Sequence, residues 1–169
     1  KAANCPCKGV RELRIGIWER NEGLREVILE GLRAAGAEPP VLEAGAHPAD
    51  FSGELDLLVI SPEAVGWAGA GQIHAGTVLL SGAAGPLARA LRTERAVSYG
   101  TSARDTLTLS SLEGDQICVA IQRDIVTVSG AVVERQELVL PFPPGRSPLP
   151  WLCAVGALLL MDVPPERLE

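Results

Sequence analysis

Five short apolar runs in the first hundred residues constrain the fold more than any other feature of the chain. They are Leu13–Trp18 (LRIGIW), Val41–Glu43, Leu55–Ser61 (LDLLVIS), Gly76–Ser81 (GTVLLS) and Ala96–Tyr99. The first is short and apolar enough to be a central strand. Between it and the second, Leu24, Val27, Ile28, Leu32 and Ala35 fall on one helical face, with Asn21 available as a cap and Gly36 as a stop. Glu22 with Arg25, and Glu30 with Arg33, have the spacing to pair on the wet face of that helix. A brief second helix, Pro86–Arg92, carries its proline in the first turn, where the missing N–H costs nothing. Strands alternating with helices at this spacing predict an open, mostly parallel, Rossmann-like sheet.

The pattern changes after Gly100. Thr106–Leu112 alternates apolar and polar residues, Glu113-Gly114-Asp115 reads as a hairpin turn, and Ile117–Arg123 returns. Ile125–Ser129 and Val132–Phe142 continue what reads as an antiparallel β-meander, with Ser129-Gly130 as its turn. Pro143-Pro144-Gly145 breaks the last strand. Ser147 then opens a helix running through Trp151 to about Met161, apolar nearly all round and so expected to be buried between layers. Pro164-Pro165-Glu166 starts a further helical turn. The expected organisation is a tail over residues 1–12 and one α/β domain over 13–169, its Rossmann-like part 13–100 and its meander and helix 101–169.

Composition sets limits on function. The chain has 169 residues, 47% hydrophobic and 21% charged, enough apolar content to bury a substantial core. A formal charge of −6, with both signs mixed along the chain, gives no basic face for nucleic acid. The start is polar with no apolar signal region, and the run Leu149–Met161 is short for the roughly 20 residues of a membrane span. The expectation is a cytoplasmic protein with no membrane partner.

Both lysines, Lys1 and Lys8, lie ahead of the first strand. A phosphate loop needs Gly-Lys-Ser/Thr, so no Walker-type site is expected, and Schiff-base chemistry is absent from the folded body. The first strand–helix turn, Gly16–Gly23 (GIWERNEG), lacks the spacing of a dinucleotide loop, and there is no Gly-x-Ser-x-Gly elbow. His47 and His74 have no metal-ligand partner at helical spacing and read as surface-loop residues. Cys5 and Cys7 stand one residue apart, without the second pair that a zinc site needs; they read as part of a mobile tail, the functional alternative being a redox-sensitive pair or half of an intermolecular metal site. No cofactor, metal or catalytic residue is assigned.

The richest polar cluster is the corner after Ala96–Tyr99. Ser98, Tyr99, Thr101, Ser102, Arg104 and Asp105 offer hydroxyls, one cation and one carboxylate. As a turn, Asp105 would bond nearby backbone N–H groups and Arg104 would pair with a carboxylate. As a ligand site, Arg104 would clamp an anion bidentately, joined by the Gly82–Pro86 turn with Gly82 and Gly85. Arg123 with Glu134 or Glu137 is a further possible ion pair.

The residues from Ala96 to Glu169 resemble the later half of the central domain of the Mur ligases, the ATP-dependent enzymes of peptidoglycan precursor synthesis. The matching pieces are Val97-Ser98-Tyr99-Gly100, the meander to Phe142, Pro144-Gly145, and Trp151–Val163 followed by Pro165-Glu166. The resemblance implies a Mur-ligase-like α/β fold. It carries no activity over, because the phosphate loop and the carbamylated lysine have no counterpart. Arg146-Ser147 and Pro150 stand where the family has a His-Asn pair and a further Asn. The pattern Ser98-Tyr99-Gly100, Asp105–Thr108, Ser110-Ser111 is also similar to that of a compact bacterial family of no known function. The implied reading is a non-catalytic module that binds a small anionic ligand or a protein partner. Two alternatives are an ATP-independent enzyme using the Arg104/Asp105 corner and a structural subunit of a complex, with Trp67 on its contact surface.

Overall fold

A computed structural model describes residues 11–169, so Cys5 and Cys7 lie outside the described residues. The expected mostly parallel sheet and most of the meander that follows it join in one eight-stranded sheet. Strand β1 (Arg14–Trp18) runs into helix α1 (Leu24–Ala34), which returns the chain to β2 (Val41–Gly45) at one edge. The chain then crosses to the other side of β1 and lays down β3 (Glu54–Ile60), β4 (His74–Ser81) and β5 (Arg92–Gly100) in parallel. Helix α2 (Gly85–Ala90) connects the last two. Strands β6 (Leu107–Glu113), β7 (Gln116–Ile121) and β10 (Gln136–Pro141) complete the sheet, giving the order β10-β7-β6-β5-β4-β3-β1-β2.

Two expectations about the second half need correction. Strand β6 is parallel to β5 through Tyr99↔Leu107 and Gly100↔Thr108, so the antiparallel part begins only at the β6–β7 hairpin. The segment expected as one strand, Val132–Phe142, is two. Residues Val132–Val133 form β9, which pairs with β8 (Ile125–Val126) in a separate two-stranded ribbon, and β10 pairs directly with β7. The ribbon is tied to the protein elsewhere. Asp162, just past the last helix, accepts from Thr127 Oγ1 at 2.5 Å and Ser129 Oγ at 2.6 Å, and Val128 N–H donates to the Leu160 carbonyl.

Side-chain alternation divides the core into two layers. Ile15, Ile17, Leu57, Val59, Leu79, Leu107, Val119 and Leu138 face α1 and helix α3 (Pro148–Leu160). Trp18, Leu58, Ile60, Val78 and Leu80 face the opposite side with Phe51, Ile73 and Leu87 of α2. Strand residues buried on both sides explain why the first half reads as apolar runs rather than as alternation. Helix α3 is the expected apolar helix, with every residue from Leu152 to Leu160 buried. Burying each of its leucines contributes roughly 1.5–3 kcal/mol, so this helix anchors the sheet more firmly than any polar contact. Among the described residues no helix is long and apolar enough to cross a membrane.

Several local expectations also change. Asn21 does not cap α1; it sits at φ 61° ahead of Gly23, and the helix begins at Leu24. The expected pairs of Glu22 with Arg25 and Glu30 with Arg33 give way to an exposed Arg25–Glu26 contact at 3.7 Å. Strand β5 starts at Arg92, four residues before the apolar run that signalled it, because its charged first half lies at the sheet end. His74 is the first residue of β4 rather than part of a loop.

Candidate functional site

The corner between β5 and β6 is built around one carboxylate. Parallel neighbours normally need a crossover of a dozen or more residues. Here residues 101–106 turn the chain back on themselves and set Leu107 beside Tyr99. Asp105, 6% exposed, holds that loop closed: its N–H donates to the Ser102 carbonyl at 2.9 Å, and its carboxylate accepts the Ser102 N–H at 3.2 Å. Thr108 Oγ1 donates to the carbonyls of Ser102 (3.1 Å) and Asp105 (3.3 Å). Ser98 Oγ accepts the Thr106 N–H at 3.2 Å, and Ser102 Oγ accepts the Arg104 N–H at 3.2 Å.

The Asp105 carboxylate also lies directly over two glycines. A Cβ on Gly82 or on Gly100 would collide with its oxygens, so hydrogen at both positions makes room for it. Gly82 and the corner are therefore neighbours, as the sequence suggested, but the space between them is filled by the chain's own carboxylate. Gly85 stands apart with open space around it. Tyr99 points the other way. It is fully buried and donates to the Ile60 carbonyl at 2.6 Å, beside Cys153 Sγ at 3.6 Å from the same oxygen. Burial, then the neighbouring Cys153, pushes the Tyr99 phenol far above its usual range; burial pushes the Cys153 thiol up to about 12. Neither is a nucleophile or base at neutral pH.

Thr101, Ser102 and Arg104 face outward. Arg104 makes no salt bridge among the described residues, so its expected carboxylate partner is absent there. The ion pair expected for Arg123 also takes another form: Arg123 donates to the Arg104 carbonyl at 2.8 Å and braces the loop from below.

In a sheet of this order the chain reverses direction at β1, and the crevice outside the carboxyl ends of β1 and β3 is where α/β folds hold ligands. Here Glu19, 8% exposed, fills the start of α1, accepting the N–H groups of Leu24 (2.7 Å) and Arg25 (3.1 Å). Glu22 accepts from Ser61 Oγ at 2.9 Å and from the Arg20 N–H. The Glu19 carboxylate thus occupies the position where a phosphate would otherwise meet the helix dipole. The reading of Gly16–Gly23 as no dinucleotide loop is consistent with this, but Glu19, Glu22 and Ser61 did not stand out from the sequence. No motif marks them, since the cap reaches the helix from five residues upstream of Leu24.

A cleft of about 630 Å³ opens at this crevice, lined by Glu19, Asn21, Gly23 and Arg25 among others, and further clefts lie away from it. One of about 570 Å³ sits at the amino ends of β3, β4 and β5, lined by Asp56, Gly76, Thr77 and Arg95 among others. An apolar one of about 290 Å³ lies between α1 and α3 against Trp151, whose buried indole N–H has no partner. None of the expected corner residues lines either. Among the described residues no group of three His, Cys, Asp or Glu side chains converges on a metal position. Comparison with known proteins finds no family model that matches the chain and no curated protein that matches it.

Proposed function

We propose that the chain is a non-catalytic binding module of Mur-ligase-like layout whose ligand is a small anion. The observation that carries this reading is that the buried carboxylates at the corner and at the start of α1 are both engaged by the chain's own backbone. Asp105 is engaged with Ser102 and lies over Gly82 and Gly100, and Glu19 is engaged with Leu24 and Arg25. A carboxylate that accepts backbone N–H groups is held in a fixed position, which supports a structural role for Asp105 and Glu19. The exposed cations of the folded body are all arginines, the side chain best matched to oxyanions.

Thermal-shift titration against nucleotides, UDP-sugars, phosphate esters and small carboxylates tests the reading. Saturable stabilisation without turnover of the ligand is expected. Turnover that is lost in Asp105→Asn would replace the module with an ATP-independent enzyme. A protein partner is the second reading, and β10 favours it: the strand ends the sheet with a free edge and carries Val139 at 49% exposure. Sedimentation of the purified chain showing a monomer at all concentrations removes self-association as the use of that edge.

A further inference from the structure

The free edge at β10 has a definite pattern of open and closed main-chain groups. The Phe142 N–H donates to the Asp115 carbonyl at 2.7 Å, toward β7. Antiparallel strands turn alternate residues toward each neighbour, so the main-chain groups of Gln136, Leu138 and Leu140 bond to β7. Those of Glu137, Val139 and Pro141 point away from the sheet, where the strand order ends. Pro141 has no N–H to offer, a placement that proline takes within a sheet only on an edge. At the other end of the strand the Arg135 N–H is taken by Asp124 Oδ1 at 3.1 Å. Glu137 and Val139 are left as the open donors.

An edge built to stay single is guarded along its length by charge, bulges or proline. This edge is closed only at its ends. Its ladder with β7 is unbroken from Gln136 to Pro141, Glu137 is the only charge within that span, and the centre carries Val139 at 49% exposure. Apolar surface continues beside it, since Leu140 and Pro141 also line the hollow of about 290 Å³ between α1 and α3.

Resting on the reading of β10 as a protein contact, we propose that the partner is a second copy of this chain. The β10 strands of the two copies pair antiparallel about a two-fold axis at Val139. Self-complementarity favours a copy over an unrelated strand. In this register the two Val139 residues exchange N–H and carbonyl bonds across the axis. Each Glu137 N–H donates to the Pro141 carbonyl of the second copy, so no open donor is left over. The closed ends coincide as well: Arg135, its N–H already used, falls opposite Pro143, which has none. Like charges do not meet, because Glu137 stands opposite Pro141 and Val139 opposite itself. The two sheets become one, with α3 of both copies on the same side.

Backbone hydrogen exchange of the full chain, followed by NMR at low and high protein concentration alongside sedimentation, tests the pairing. The Leu138 and Leu140 amides are expected to be protected at every concentration. Those of Glu137 and Val139 should gain about tenfold protection as the dimer fills. Val139→Lys sets two cations together at the axis; it should return the chain to a monomer and remove that gain, with Leu138 and Leu140 still protected. Val139→Thr, which keeps the β-branch, should retain the dimer. A dimer that survives Val139→Lys, with Glu137 and Val139 exchanging freely, forms through another surface and overturns the pairing. A monomer at every concentration overturns the second copy. If an unrelated strand-forming peptide then protects Glu137 and Val139, the reading of β10 as a protein contact stands; if it does not, both fall.

Discussion

Gly82→Ala is the sharpest probe of how the corner is built, because its effect should depend on a residue far along the chain. Gly82 does not occupy a positive-φ conformation, so alanine brings no backbone strain. Its Cβ would instead meet the Asp105 carboxylate, and so would that of alanine at Gly100. To make room, Asp105 must give up its bond to the Ser102 N–H, worth about 1.5–3 kcal/mol for a charged acceptor. With the overpacking cost, Gly82→Ala should destabilise by about 2–4 kcal/mol, near 5–10 °C in Tm for a chain of this length. Asp105→Ala alone should cost about 2 kcal/mol, from the lost loop anchor. In the double variant the clash has no partner, and alanine at position 82 should be neutral or stabilise by up to about 1 kcal/mol. Urea unfolding of the four proteins gives the coupling directly, expected at about 2 kcal/mol or more. Costs that simply add, to within about 0.5 kcal/mol, would refute the account of Asp105 as the wedge between two glycines.

Glu19→Ala should cost about 2 kcal/mol, because two N–H groups at the start of α1 lose their acceptor, and Glu19→Gln about half that; equal losses in urea would mean the charge, not the bond, matters. The folded-state pKa of Cys153 is raised from 9.0 to about 12 and that of Tyr99 is raised as well, so the protons leave the unfolded chain first. Their contribution to stability is therefore complete below about pH 9 and falls as pH rises from there, a loss that alkaline unfolding curves of Tyr99→Phe should show in reduced form. Mass-mapped alkylation of the native protein at pH 8 should modify Cys118, half-buried on the sheet, and spare Cys153, buried on α3; labelling of Cys153 at a comparable rate would contradict its burial.

Much of the fold is legible because burial leaves its mark on composition. LRIGIW, LDLLVIS and GTVLLS read as central strands since both of their faces are covered, and α3 reads as buried since no side of it meets water. The start of β5 is illegible for the opposite reason, as Arg92, Glu94 and Arg95 lie at a sheet end where charge is tolerated. The split of Val132–Phe142 into β9 and β10 depends on Asp162 reaching Thr127 and Ser129 across more than thirty residues. At the corner, the reading of Asp105 as a binder of nearby backbone N–H groups holds, while its contact with Gly82 could not be read from spacing.

By itself the sequence determined the α/β class, the change of strand character after Gly100, the buried closing helix and the absence of a lysine phosphate loop. These follow from local periodicity and residue chemistry, which do not depend on which segments meet. Only the tertiary structure decided that the two halves share one sheet, that Glu19 and Asp105 are occupied by backbone N–H groups, and that Asp105 lies over Gly82 and Gly100. Each of these is a pairing between residues on different elements, set by strand order and register, and a linear pattern carries no record of it.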